Sequence, residues 1–135
     1  SSFWSRIHLG FSYYKVVMTT LVLGASTNIE RYSNIAIKKL LLNKIDVKAI
    51  GLKTGVVENV LIEKDLVKFK NIHTVSLYLN KLRQKEYYDY IISLKPKRVI
   101  FNPGTENPDF YIILKSNHIS YFEACTLVLL STNQY

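Results

Sequence analysis

The segment that most constrains this chain is LVLGASTNIERYS, residues 21–33. Residues 16–24 form a near-continuous apolar, β-branched run, the signature of a strand buried on both faces. The run passes straight into a turn of small residues, Gly24, Ala25 and Ser26, and then into a helical pattern from about residue 32 to residue 45. A turn this narrow lets a ligand approach the backbone closely. The helix behind it turns unpaired N–H groups and the positive end of its dipole toward the same corner. Such a corner suits phosphate. It lacks the dinucleotide fingerprint G-x-G-x-x-G, because the turn holds a single glycine. The residues alone specify an anion-friendly turn and leave its ligand open.

Strand and helix patterns alternate along the rest of the chain. Ile37, Leu40, Leu41 and Ile45 fall on one face of the first helix, with Ser33 or Asn34 as candidate caps. A second strand covers residues 47–52. Residues 56–70 show no regular period and read as a short hairpin or an irregular crossover. Residues 72–79 alternate as a third strand, after which Asn80 caps a helix carrying Tyr87, Tyr90, Ile91 and Leu94 at helical spacing. Pro96 ends that helix, and residues 98–101 form a short fourth strand. Asn102-Pro103-Gly104 is a turn. Asn107-Pro108 then opens a helix with proline in its first position, burying Phe110, Ile113 and Leu114. A fifth strand over residues 119–122 and a short helix over 125–130 complete the pattern.

Five strands with helices between them predict an α/β fold, a single-domain Rossmann-like sheet covered on both faces. Right-handed crossovers give a doubly wound parallel sheet in the order 3-2-1-4-5. Ligands of such sheets bind beyond the carboxyl ends of the strands, here at a switch point between strands 1 and 4. The turns at Gly24-Ala25-Ser26 and Asn102-Pro103-Gly104 both fall there.

The 135 residues fit one domain, and a hydrophobic fraction of 48% against 21% charged excludes general disorder. Lys and Arg outnumber Asp and Glu by 18 to 10, a net charge of +8. The basic residues are scattered in ones and twos, so the excess reads as a solvated surface and no nucleic-acid partner is expected. No apolar run reaches the length of about 18 residues that a membrane helix requires. The single Cys125 precludes an internal disulfide, suits the cytoplasm, and reads as a structural thiol. His8, His73 and His118 are too dispersed to form a metal site with it. Glu106 and Glu123 follow strand ends, where a carboxylate also complements a helix dipole, and no catalytic residue is assigned. Residues 1–17 contain no acid and show no clear period, and they precede Met18, the one methionine. They read as an upstream extension or a vector-derived remnant, leaving residues 18–135 as the domain.

LVLGASTNIERYS, FNPGTENPDF at residues 101–110 and FEACTLVLLS at residues 122–131 together carry a resemblance. Over about residues 18–135 the chain resembles the small stand-alone CoA-binding proteins, which are similar to the N-terminal CoA-binding domain of the succinyl-CoA synthetase alpha subunit. The resemblance implies that Gly24, Ala25, Ser26 and Thr27 hold the phosphates of coenzyme A or an acyl-CoA, with Arg31 adding charge and Asn28 among the cofactor-binding residues. It further implies that Leu52 and Lys53 after strand 2, and Tyr78, Leu79 and Asn80 after strand 3, flank the adenosine and pantetheine portions. Asn102, Pro103 and Gly104 would close the pocket near the pyrophosphate.

The chain departs from the pattern in three places. Asn28-Ile29-Glu30-Arg31 stands where many relatives have Asn-Pro-Glu-Arg. Leu52-Lys53 replaces an Asn-Pro sequence, and Tyr78-Leu79-Asn80 replaces Phe-Arg-Pro. The catalytic histidine and nucleotide-binding parts of the larger ligases lie in other domains. The resemblance therefore implies a non-catalytic carrier, sensor or thiol-protecting role, compatible with a homodimer.

Two other functions fit the fold. An NAD(P)-dependent oxidoreductase-like domain would carry more glycines in the first turn and an acid at the end of strand 2 for the ribose hydroxyls; Leu52-Lys53 stands there instead. A regulatory interaction module using the basic surface would bind its partner with a steep dependence on salt.

Overall fold

Every residue of Thr19–Leu23 (β1) is buried, as a two-faced apolar strand demands. In the computed structural model, which describes residues 18–135, β1 lies at the middle of a seven-stranded sheet. It is followed by α1 (Tyr32–Leu42), β2 (Asp46–Ile50), β3 (Gly55–Val57), β4 (Val60–Glu63) and β5 (Ile72–Leu77). Next come α2 (Lys81–Gln84), a 3-10 turn over Lys85–Tyr87, α3 (Tyr88–Leu94) and β6 (Arg98–Phe101). The chain ends with α4 (Pro108–Ser116), β7 (Ser120–Glu123) and α5 (Thr126–Ser131).

The strand order is β3-β4-β2-β1-β5-β6-β7, with every neighbouring pair parallel except the β3–β4 hairpin. This corrects the expected five strands and the 3-2-1-4-5 order. The aperiodic stretch at residues 56–70 contains a hairpin whose second strand, β4, pairs parallel to β2 and takes the position expected of the third strand. Residues 72–77 therefore cross to the other side of β1 and pair with it from Thr19↔Ile72 to Leu23↔Leu77. The order in which the chain adds strands reverses between β1 and β5, which are parallel neighbours, and β6 is one strand further out.

Helices cover both faces, as expected. On one face Tyr90, Ile91 and Leu94 of α3 and Phe110 and Leu114 of α4 pack on Leu21, Leu23, Val75, Leu77, Val99 and Phe101. Phe110 stacks on Tyr88 with ring centroids 4.2 Å apart and meets Phe101 edge-on at 6.0 Å. Full burial of a phenylalanine stabilises the fold by about 1.5–3 kcal/mol. On the other face Ile37 and Leu40 of α1 and Leu130 of α5 pack on Val22, Val47, Ala49 and Ile62.

Tyr135 closes this second layer. Its hydroxyl lies 2.6 Å from Thr20 Oγ1, its ring sits 4.5 Å from the Arg98 guanidinium, and its carbonyl accepts from Arg98 Nη2 at 3.1 Å. The helix caps separate along the same lines. Asn80 Oδ1 accepts from Arg83 N–H at 3.0 Å, and Asn107 Oδ1 from Phe110 N–H at 3.3 Å, as the sequence predicts. The N-cap of α1 is Arg31, without a side-chain bond; Ser33 and Asn34 lie inside that helix. The domain boundary expected at residue 17 lies outside the described residues.

Candidate functional site

The loops leaving β1, β2, β5 and β6 at their carboxyl ends enclose a cleft of about 730 Å³, well within the range of small-molecule sites. Thirteen of the fourteen residues singled out in the sequence line it, drawn from four separate stretches of the chain.

The first loop owes its shape to close backbone approach. Gly24 adopts φ +99, where a Cβ would sit 3.0 Å from the Tyr78 carbonyl carbon and 3.2 Å from the Leu79 side chain. Gly51, at the end of β2, is tighter: a Cβ there would lie 2.2 Å from Ala25 O. The N–H groups of Gly24 and Ala25 both donate to Ile50 O at 2.9 Å. They hold this loop to β2, while both residues remain part of the cleft wall. Among the described residues the N–H groups of Ser26 and Thr27 make no hydrogen bond and stay open to a ligand. Ser26 Oγ accepts from Asn28 N–H at 3.0 Å and Asn28 Oδ1 from Glu30 N–H at 2.9 Å. These two side chains shape the turn; neither caps α1. Asn34, buried in the first turn of α1, donates to Ser26 O at 3.0 Å and braces the loop from behind.

Arg31, Tyr32 and Ser33 bring the start of α1 to the same cleft, where the helix dipole adds positive potential. Leu52 and Lys53 form an exposed wall beyond β2. Across from them, Tyr78, Leu79 and Asn80 follow β5. The Tyr78 hydroxyl is shut off from water beside the hydroxyls of Ser76 and Thr126, without completing a hydrogen bond to either. Burial pushes its pKa up to about 12, an effect those neighbouring hydroxyls partly offset.

Pro103 and Gly104 reach the cleft after β6, and Asn102 does not. Asn102 is buried behind the wall, donating to Ser76 Oγ at 2.9 Å and Leu77 O at 2.8 Å and accepting from Thr126 N–H at 2.8 Å. It fastens β6 to β5 and to the start of α5, which is a structural task. Of the fourteen residues it is the one the structure does not bring to the cleft wall.

Four lining residues were not singled out in the sequence: Tyr32, Ser33, Arg83 and Thr105. Tyr32 and Ser33 simply continue the run from Arg31. Arg83 was findable, since Asn80 as N-cap places residue 83 in the first turn beside the loop. Thr105, whose hydroxyl donates to Asn102 O at 2.7 Å, carried no such signal.

Three exposed cations, Arg31, Lys53 and Arg83, line the cleft, and none of its described lining residues is Asp, Glu, His or Cys. The arrangement can attract and hold a polyanion. Glu106 instead accepts from Gly104 N–H at 2.9 Å, and Glu123 accepts from the Tyr111 hydroxyl at 2.7 Å. Cys125 occupies the N-cap of α5, outside the lining. Among the described residues no cluster of three His, Cys, Asp or Glu could hold a metal, and no helix is long and apolar enough to cross a membrane.

Similarity to known proteins follows this geometry. A solved structure of an uncharacterized protein is 40% identical to the chain, covers 90% of it and 100% of its own length, and superimposes with a TM-score of 0.86. Cell-free ID.343 from Thermus thermophilus shares the fold at 16% identity, with coverage of 97% and 98% and a TM-score of 0.78. So does a hypothetical protein from Pyrococcus horikoshii OT3 at 22% identity, with coverage of 93% and 89% and a TM-score of 0.77. No curated protein matches the sequence. The family model described as CoA binding domain matches residues 18–131, nearly all of the described chain, and the protein belongs to that family.

Proposed function

We propose that the cleft binds coenzyme A or an acyl-CoA, and that the chain acts as a carrier, a sensor or a protector of the thiol without catalysing a reaction itself. One observation carries this reading: three cations converge on a switch-point cleft whose described walls bear no carboxylate, imidazole or thiol. Coenzyme A presents a pyrophosphate and a further phosphate monoester, a charge pattern that three separated cations match. Free N–H groups at Ser26 and Thr27, together with the start of α1, supply phosphate donors in the same place. Lys53 stands where a dinucleotide enzyme of this fold would place an acid for the ribose hydroxyls. That substitution disfavours NAD and suits a phosphorylated ribose.

The test is a thermal-shift panel of CoA, acetyl-CoA, NAD and NADP, with mass spectrometry of the purified protein for a retained ligand. CoA at a hundred times its dissociation constant should add about 2.7 kcal/mol of stability, and NAD should add none. Stabilisation by NAD alone moves the chain to the oxidoreductase-like class. Indifference to every ligand in the panel, with salt-sensitive capture of nucleic acid or protein, favours the interaction module.

A further inference from the structure

We infer that Gln84 is the positioning residue that holds two walls of this cleft in register and keeps their carbonyl oxygens turned away from an anion. The inference rests on the ligand reading above. Gln84 ends α2 and is fully buried, while its neighbour Arg83 lines the cleft. A buried amide destabilises the fold unless its donors and acceptor are met, and Gln84 meets them at particular places. Its Nε2 donates to Leu79 O at 2.9 Å and to Thr105 O at 2.7 Å. Its Oε1 accepts from Asn107 Nδ2 at 2.8 Å, and Asn107 Nδ2 also donates to the Tyr88 hydroxyl at 2.7 Å.

Leu79 and Thr105 belong to different loops, and both line the cleft. Among the described residues no backbone hydrogen bond joins residues 78–80 to residues 103–105, so the Gln84 amide is the bridge between them. The bridge also has a polarity. Among the described residues no peptide bond is cis, and in a planar trans peptide the N–H points opposite to the C=O. With Leu79 O and Thr105 O drawn inward to Gln84, the N–H groups of Asn80 and Glu106 turn away from it. Carbonyl oxygens left to swing outward would present partial negative charge to the cleft. One buried amide thus fixes the spacing of two loops and keeps their oxygens off an anionic ligand.

The experiment compares the wild-type chain with Gln84→Met, which keeps the side-chain volume, and Gln84→Glu, which keeps an acceptor and loses both donors. Circular dichroism establishes that each is folded, and titrations are run well below the melting point with CoA and with inorganic pyrophosphate. The expected result is a dissociation constant weaker by about tenfold or more for both ligands, with amide hydrogen exchange accelerated at residues 79–80 and 104–106 and unchanged in β1 and β2. A folded variant that binds both ligands within about twofold of wild type overturns the inference. So does exchange that rises uniformly across the sheet, because Gln84 would then support stability alone. A wild-type protein that takes pyrophosphate and refuses CoA sinks the CoA reading by itself, and the inference is then decided by the pyrophosphate ratio.

Discussion

Gly24 does its work through what it touches. With φ at +99 and the loop after β5 within 3.0–3.2 Å of any added Cβ, valine there strains the backbone and presses on Tyr78 and Leu79. A strained non-glycine conformation costs about 1–3 kcal/mol, which a domain of ordinary stability survives. Gly24→Val is therefore expected to fold and to lose CoA binding by about a hundredfold or more, whereas Cys125→Ala, outside the cleft, should bind within about twofold of wild type. Calorimetric titration with circular dichroism on both variants checks this; wild-type affinity in Gly24→Val means the first turn is not the phosphate site. The tyrosines make a separate prediction. Burial raises Tyr78, Tyr90 and Tyr111 to about 12 from an unfolded value of 10.0, and raises Tyr135 as well. Between those values the unfolded chain has released protons that the folded chain still holds. The stability these hydroxyls contribute is fully present below pH 10.0 and is lost as pH rises toward 12. Urea midpoints measured through that interval should drop, and drop less steeply in Tyr90→Phe.

Periodicity located most of the elements, because β1, β2, β5, β6 and the longer helices each bury one face or two. Two features escaped it. The β3–β4 hairpin has strands of three and four residues, too short to establish a period, and its apolar side chains alternate across the pair with Val56 and Leu61 exposed. The place of β5 escaped for a different reason. Thr74 and Ser76 give it the alternation of a half-exposed edge strand, yet both are buried. Thr74 accepts from Arg98 Nε at 2.8 Å, and Ser76 bonds with Thr126 and Asn102 at 2.8 and 2.9 Å. Polar residues satisfied by partners distant in sequence look like surface residues until the partners are known. The candidate site was more legible than the strand order, because its residues follow strand ends whichever strands are neighbours. Asn102 follows a strand end as well, yet its amide reaches back into the sheet, which position alone does not reveal.

The family match begins at residue 18. Removing residues 1–17 is therefore expected to leave the circular dichroism spectrum and the CoA titration unchanged; an unfolded product would make that segment part of the domain. The sheet order has one more consequence. Its two outer strands, β3 and β7, have three and four residues, whereas β1, β2 and β5, with five, five and six, lie inside. An outer strand is where a foreign strand can add itself, and short ones offer few backbone groups for it to pair with. By keeping its longest strands in the interior, the molecule leaves little template for edge-to-edge aggregation, and this protection does not depend on any ligand occupying the cleft.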